Sequence, residues 1–266
     1  MNNLETYAQA INELSRKAGQ AVMEIYEKDF AIYDKSDSSP LTEADLAAHT
    51  ILVEGLNALT PEIPVLSEES NADEQVDRFS WNTYWLIDPL DGTKEFIKKN
   101  GEFTINVALI VAGEPVFGVV YAPAIDVLYW GAQGEGAFKQ EGNAAPADIT
   151  VSSVPSVNTG WKVVGSRSHQ SDEFKQFMEK LPEAEIIAMG SSLKLCLVAE
   201  GKADLYPRLG LTSEWDTAAA HAVVLAAGGQ VLSMEDMKPL IYNSRKDTLL
   251  NPHFIVCPET SSFWTE

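Results

Sequence analysis

Two aspartates, Asp88 and Asp91, flank Pro89-Leu90 and run directly into Gly92-Thr93. Proline fixes its own φ and holds the preceding residue extended, and glycine permits a tight turn and close backbone approach. A short apolar run, Tyr84 to Ile87, leads in, and a helix-compatible stretch, Lys94-Glu95-Phe96-Ile97-Lys98, leads out. The segment reads as a strand-to-helix turn. Two carboxylates there share one space with the amides of Gly92, Thr93 and Lys94. A helix N-terminus receives phosphate well. Carboxylates beside a phosphate repel it unless cations stand between them, and hard oxygen ligands with phosphate select Mg²⁺.

Other carboxylates stand at suggestive places. Glu68-Glu69 ends the apolar run Pro64-Val65-Leu66-Ser67. Asp216 follows Trp215 at the start of an apolar helical stretch, and Asp45 lies three residues after Thr42. Each has a plain structural alternative: turn or cap for Asp88 and Asp91, a solvated pair for Glu68-Glu69, an N-cap for Asp216 and a capping box for Asp45.

The elements that must position these residues follow from periodicity. Leu4, Ala8, Ile11, Leu14, Ala18, Val22 and Ile25 predict a first helix. Thr42 begins a second, with Leu46, Val53 and Leu56 on its apolar face. Residues 103–111 and 116–121, joined by Gly113-Glu114-Pro115, predict a β-hairpin, and 127–138 continues the sheet. The Ala, Pro, Ser and Asn-rich stretch 142–158 marks a boundary between an α+β half, 1–150, and an α/β half, 151–266. Beyond it, strands at 161–164, 185–188 and 203–206 alternate with helices at 171–180, 193–199 and 216–227, the last stopped by Gly228-Gly229.

Composition narrows the function classes. The 266 residues are 45% hydrophobic, enough to bury a core without disulfides. A formal net charge of −20 excludes general nucleic-acid binding and electrostatic docking on anionic lipid. It also means that phosphate must be met by metal, amides or a few local cations. Two cysteines, Cys196 and Cys257, lack metal-ligand spacing and suit a reduced cytosolic protein. No signal pattern or integral membrane segment is visible.

Taken together, Ser67-Glu68-Glu69, Asp88 to Thr93 and Glu214-Trp215-Asp216-Thr217-Ala218-Ala219 resemble the motifs of the inositol monophosphatase superfamily, in order and separation along nearly the whole chain. These are magnesium-dependent, lithium-sensitive phosphatases. Residues 36–42, 94–97 and 101–104, with Gly190-Ser191-Ser192-Leu193-Lys194 and Leu205-Tyr206-Pro207-Arg208, are similar to the 3'(2'),5'-bisphosphate nucleotidase branch. The resemblance implies a layered αβαβα sandwich of the inositol monophosphatase and fructose-1,6-bisphosphatase type. It implies two or three Mg²⁺ ions held by Glu68, Asp88, the Leu90 carbonyl, Asp91 and Asp216, with Asp88 bridging. It makes Asp45 and Thr93 the water-activating pair. It places substrate against Glu68, Asp91, Gly92, Thr93, Lys94, His169, Ser191, Ser192, Lys194, Arg208 and Asp216. His49 and His221 each lie on a predicted helix and read as structural. The implied reaction takes adenosine 3',5'-bisphosphate to AMP and phosphate, in a cytoplasmic monomer or homodimer, with peripheral association at the inner membrane as a second option. The rivals are an inositol monophosphatase or broad sugar-phosphate phosphatase, and a non-catalytic nucleotide-binding protein.

Overall fold

A computed structural model describes residues 4–28, 32–34, 40–71, 77–165 and 171–265. Two long helices open the chain: α1 (Leu4–Tyr26), then after β1 (Ile32–Asp34) and β2 (Pro40–Thr42), α2 (Glu43–Leu59). Next come β3 (Val65–Ser67), β4 (Thr83–Asp91), the short α3 (Thr93–Ile97), β5 (Thr104–Val111), β6 (Glu114–Ala122), β7 (Val127–Ala132), β8 (Gly136–Glu141) and β9 (Ala147–Ile149). β3 to β9 form one seven-stranded sheet in sequence order, with only the β3–β4 pair parallel. The expected hairpin is β5–β6. The 142–158 stretch contributes β9, an edge strand of this sheet.

The remainder comprises β10 (Thr159–Gly165), α4 (Asp172–Glu179), β11 (Glu183–Ala188), α5 (Leu193–Ala199), β12 (Tyr206–Arg208), α6 (Ala218–Ala226), β13 (Gln230–Ser233), β14 (Phe254–Cys257) and α7 (Ser262–Thr265). β10 and β11 pair in parallel, and β12, β14 and β13 form an antiparallel sheet in that order. The strand expected at 203–206 starts later, because Leu205 makes only a single bridge to Val163.

Alternation along the strands sets the layers. In β4, Trp85 and Ile87 join a core with α1 and α2, while Tyr84 and Leu86 face a second core with α5 and α6. In β14, Phe254 and Val256 face that second core, and Ile255 and Cys257 face a third with Trp161, Phe174, Phe177 and Trp264. The order is helices, large sheet, helices, small sheets, helices. A helix between two sheets has no solvent side, which is why α6 reads apolar all round and is buried through Val224. It lies against a row of small residues paired across the large sheet, Ala108, Gly118 and Gly131. A Cβ on Gly118 would sit 2.2 Å from the Ala219 carbonyl oxygen.

Candidate active site

β4 runs through Asp88, where the sequence suggests it ends, as far as Asp91. Its pairing with β5 slips between Asp88 and Asp91, so Asp88 lies opposite Asn106 and Asp91 opposite Thr104. The Asp88 Oδ1 accepts from the Leu90 N–H at 3.0 Å, closing the turn locally. Gly92 then takes φ +91°, and an added Cβ would press on the Glu102 carbonyl at 3.1 Å. That is a position for glycine on both counts.

Asp216 arrives from the far end of the chain. It does not cap α6, since Thr217 holds the N-cap position. Its Oδ2 accepts from the Ser213 N–H at 2.9 Å instead. Ligand oxygens of Asp88, Asp91 and Asp216 all lie within 4.8 Å of one another. Three acids this close cannot all ionise cheaply. Burial, then Glu68, Asp91 and Asp216, push the Asp88 carboxyl well above its ordinary range. Burial and then Asp91 push Asp216 up to about 8. Burial raises Asp91 to about 6, against Lys194 and the Ser192 N–H, which lower it. Among the described residues, the buried Asp88 Oδ2 has no hydrogen-bond partner. An all-oxygen set with an orphaned buried acceptor fits a hard divalent cation. Glu68, half-buried at the end of β3, adds its charge to the same cluster, and its N–H bonds the Ile87 carbonyl at 3.1 Å.

Asp45 enters from the first turn of α2, almost fully buried. The expected capping box is present, with Thr42 as N-cap. The other carboxylate oxygen faces the turn: the Thr93 hydroxyl lies 3.3 Å from Asp45 Oδ1 and 3.3 Å from the Leu90 carbonyl. The structural and the chemical alternatives for Asp45 are therefore met by different oxygens of one side chain.

A cleft of about 150 Å³ opens beside Asp91 and Asp216, lined also by Gly92, Ser191, Lys194 and Arg208. A smaller hollow of about 80 Å³ adjoins it, sharing Lys194, Tyr206 and Arg208. A larger groove of about 790 Å³ lies between α1 and β7–β8, but the three clustered carboxylates are absent from its walls. Convergence of charge, not volume, singles out the smaller cleft. Burial pushes the Lys194 ammonium down, and Asp91 opposes that. Arg208 donates to the Leu211 carbonyl at 2.7 Å, while its buried Nε has no partner among the described residues.

Three expected substrate contacts need comment. His169 lies outside the described residues. Lys94 is exposed and does not line the cleft, whereas Glu95 does. Successive helical residues point about 100° apart, so only one of them can face inward. Ser192 is buried and its hydroxyl is engaged, 2.7 Å from Thr104 Oγ1 and 2.8 Å from Asn106 Oδ1. Its N–H donates to Asp91 at 2.5 Å. It braces Asp91 and also forms part of the cleft wall, where the neighbouring Ser191 is the more exposed of the two serines.

Sequence reasoning missed Glu95, Tyr206 and Thr212 on the cleft wall and Glu214 behind it. Buried Glu214 accepts the Asn243 N–H on both oxygens at 2.9 Å. Burial raises it to about 7. Its place beside Trp215-Asp216 was the available signal. His221 is buried with Nδ1 3.0 Å from the Tyr242 hydroxyl, and His49 Nδ1 lies 2.9 Å from Ser67 Oγ.

The model of the inositol monophosphatase family matches residues 3–261. The chain belongs to that family. Within it, the chain is 50% identical over 246 residues to the 3'(2'),5'-bisphosphate nucleotidase CysQ of Escherichia coli strain K12, covering 92% of this chain and 96% of that protein. The crystal structure of CysQ from Bacteroides thetaiotaomicron, a bacterial member of the family, superposes with a TM-score of 0.84 at 42% identity, covering 97% of this chain and all of that one. An inositol monophosphatase from Anabaena (Nostoc) sp. PCC 7120 matches at a TM-score of 0.72 and 26% identity, covering 97% of this chain and 92% of that one. The layered fold is thus the family fold. No described helix is long and apolar enough to cross a membrane.

Proposed function

We propose that this chain is a magnesium-dependent 3'(2'),5'-bisphosphate nucleotidase that converts adenosine 3',5'-bisphosphate to AMP and phosphate. One observation carries the reading. Two of the three clustered acids, Asp91 and Asp216, line one cleft together with two cations, Lys194 and Arg208, and Asp88 lies buried against them. An acid cluster that fits metal suits the phosphate to be cut. Cations on the same cleft suit a second phosphate that is kept. Half-identity to the E. coli nucleotidase over almost the full length supports the same substrate class.

Two or three magnesium ions would be held by Glu68, Asp88, the Leu90 carbonyl, Asp91 and Asp216. When bound, they supply charge neutralisation for the phosphoryl oxygens and acidify water. The chain's own residues do the rest. Thr93 stands to take a proton from the attacking water as its own passes to Asp45, 3.3 Å away. The water oxygen bonds to phosphorus, the P–O bond to the ribose 3'-oxygen breaks, and that oxygen leaves with a solvent proton. Gly92 and Ser191 form part of the cleft wall, and the Arg208 guanidinium on the same cleft would meet the retained phosphate.

The test is phosphate release with Mg²⁺ from adenosine 3',5'-bisphosphate and from inositol 1-phosphate. The expected result is a higher kcat/KM for the nucleotide by at least about tenfold, the worth of one charge-assisted contact. Preference for inositol 1-phosphate overturns the substrate assignment. Turnover of neither overturns the enzymatic one.

A further inference from the structure

Asp45 offers two oxygens, and the chain uses them unequally. Oδ2 accepts two bonds from one residue: the Thr42 N–H at 2.8 Å and the Thr42 hydroxyl at 2.6 Å. Oδ1 faces the Thr93 hydroxyl. The usual capping box needs only the backbone donor from the cap residue. The hydroxyl bond is an addition, made while the same Thr42 oxygen accepts from the Ala44 N–H at 3.2 Å. Thr42 and Asp45 are both buried, so water competes little for these groups.

The geometry of a carboxylate gives that addition a consequence. Its end torsion is soft, and a half-turn exchanges the two oxygens. Two donors converging on Oδ2 fix the plane and leave Oδ1 aimed at Thr93. The Thr42 hydroxyl has one proton, and it is committed to Oδ2. It cannot also engage Thr93. With that donor gone, Oδ2 keeps the Thr42 N–H and loses the shorter of its two bonds from Thr42, and with it the second direction that fixes the plane.

We propose that Thr42 is a positioning residue for the reaction: its hydroxyl locks the Asp45 carboxylate so that one oxygen belongs to the helix cap and the other to Thr93. This rests on the reading that Asp45 and Thr93 activate water. Helix cap and proton acceptor are then one device, and the cap residue sets the reactive orientation without touching substrate.

The test is a double-mutant cycle in the full chain with Mg²⁺ and adenosine 3',5'-bisphosphate. Thr42→Val keeps the shape and loses the hydroxyl. It should lower kcat about 10- to 100-fold, as small misplacements of reacting groups do. KM should stay within about twofold, since Thr42 does not line the cleft. Thr42→Ser should restore most of kcat. In an Asp45→Asn background, where an amide replaces the acceptor, Thr42→Val should change kcat less than about twofold. A Mg²⁺-induced rise in Tm for each variant reports a folded, loaded protein independently of turnover. If Thr42→Val does not fold, Thr42→Ala enters the same cycle. A lowered Tm with unchanged kcat overturns the proposal, as does an equal loss of kcat in both backgrounds. Full kcat in Asp45→Asn alone overturns the water-activation reading instead, which separates the two failures.

Discussion

Gly118→Ala tests whether the sheet surface sets the position of Asp216. The added Cβ would lie 2.2 Å from the Ala219 carbonyl oxygen, 2.8 Å from its carbon and 2.9 Å from Cα. All three are backbone atoms of α6, so no side chain can turn away. Non-bonded contacts need a little over 3 Å, so the helix must retreat by about 1 Å or tilt. Overpacking of this kind costs about 1–3 kcal/mol. For a chain of this size that is a Tm fall of about 2–10 °C. Asp216 stands two residues before α6, next to its N-cap Thr217, so the retreat reaches the carboxylate cluster directly. A displacement of about 1 Å at a reacting site costs about 10²-fold in rate. The assay is kcat/KM across a Mg²⁺ titration, with Tm measured in EDTA and in Mg²⁺. The expected signature is a loss of rate much larger than the loss of stability implies, together with a weaker Mg²⁺-dependent Tm shift. Wild-type rate and wild-type Mg²⁺ response alongside a lowered Tm would refute the link between this groove and the site.

Asp88→Asn should abolish turnover and the Mg²⁺-induced Tm shift, while raising Tm in EDTA because one member of a repelling buried set is gone; near-normal turnover at saturating Mg²⁺ would sink the bridging role. Ser192→Ala should cost about 1–3 kcal/mol by taking one partner from Thr104 and one from Asn106, with KM nearly unchanged; a tenfold rise in KM at full stability would make Ser192 chiefly a substrate contact rather than a brace for Asp91. His221 is pushed down to about 3 by burial from an ordinary 6.5. The unfolded chain therefore takes up a proton below pH 6.5 that the fold refuses, so stability is full above that pH and falls as pH drops. By pH 5 the loss is about 2 kcal/mol. His221→Asn, compared with wild type by denaturant unfolding at pH 7.5 and 5.0, should lose about that much less; equal losses would refute a neutral buried histidine.

Much of this could be read in advance where one side chain announced one structural need. The α1 stripe, the Thr42 cap and the Gly228-Gly229 stop are local patterns, and each element stands where they put it. The carboxylate cluster was legible only as a sum, since each acid alone has an ordinary use in a turn or cap. The rest depended on three-dimensional register. Nothing near Asn106 in sequence shows that it lies opposite Asp88, or that Ser192 reaches over to brace Asp91. The choice of Glu95 over Lys94 turns on a phase angle in a five-residue helix. β13 and β14, four residues each, were too short to stand out without their partners.

The meeting of Asp88 and Asp91 with Asp216 has a consequence for assembly. One strand brings two of the acids, and the third comes from a segment more than 120 positions later that must first find its groove on the large sheet. A cation held by all three works as a removable clasp between early and late parts of the chain, closing a long loop much as a disulfide would. During synthesis the ribosome must release Asp216 and α6 before that clasp can close. Hydrolytic competence therefore waits on the late part of the chain, and a chain that still lacks Asp216 and α6 cannot close the clasp.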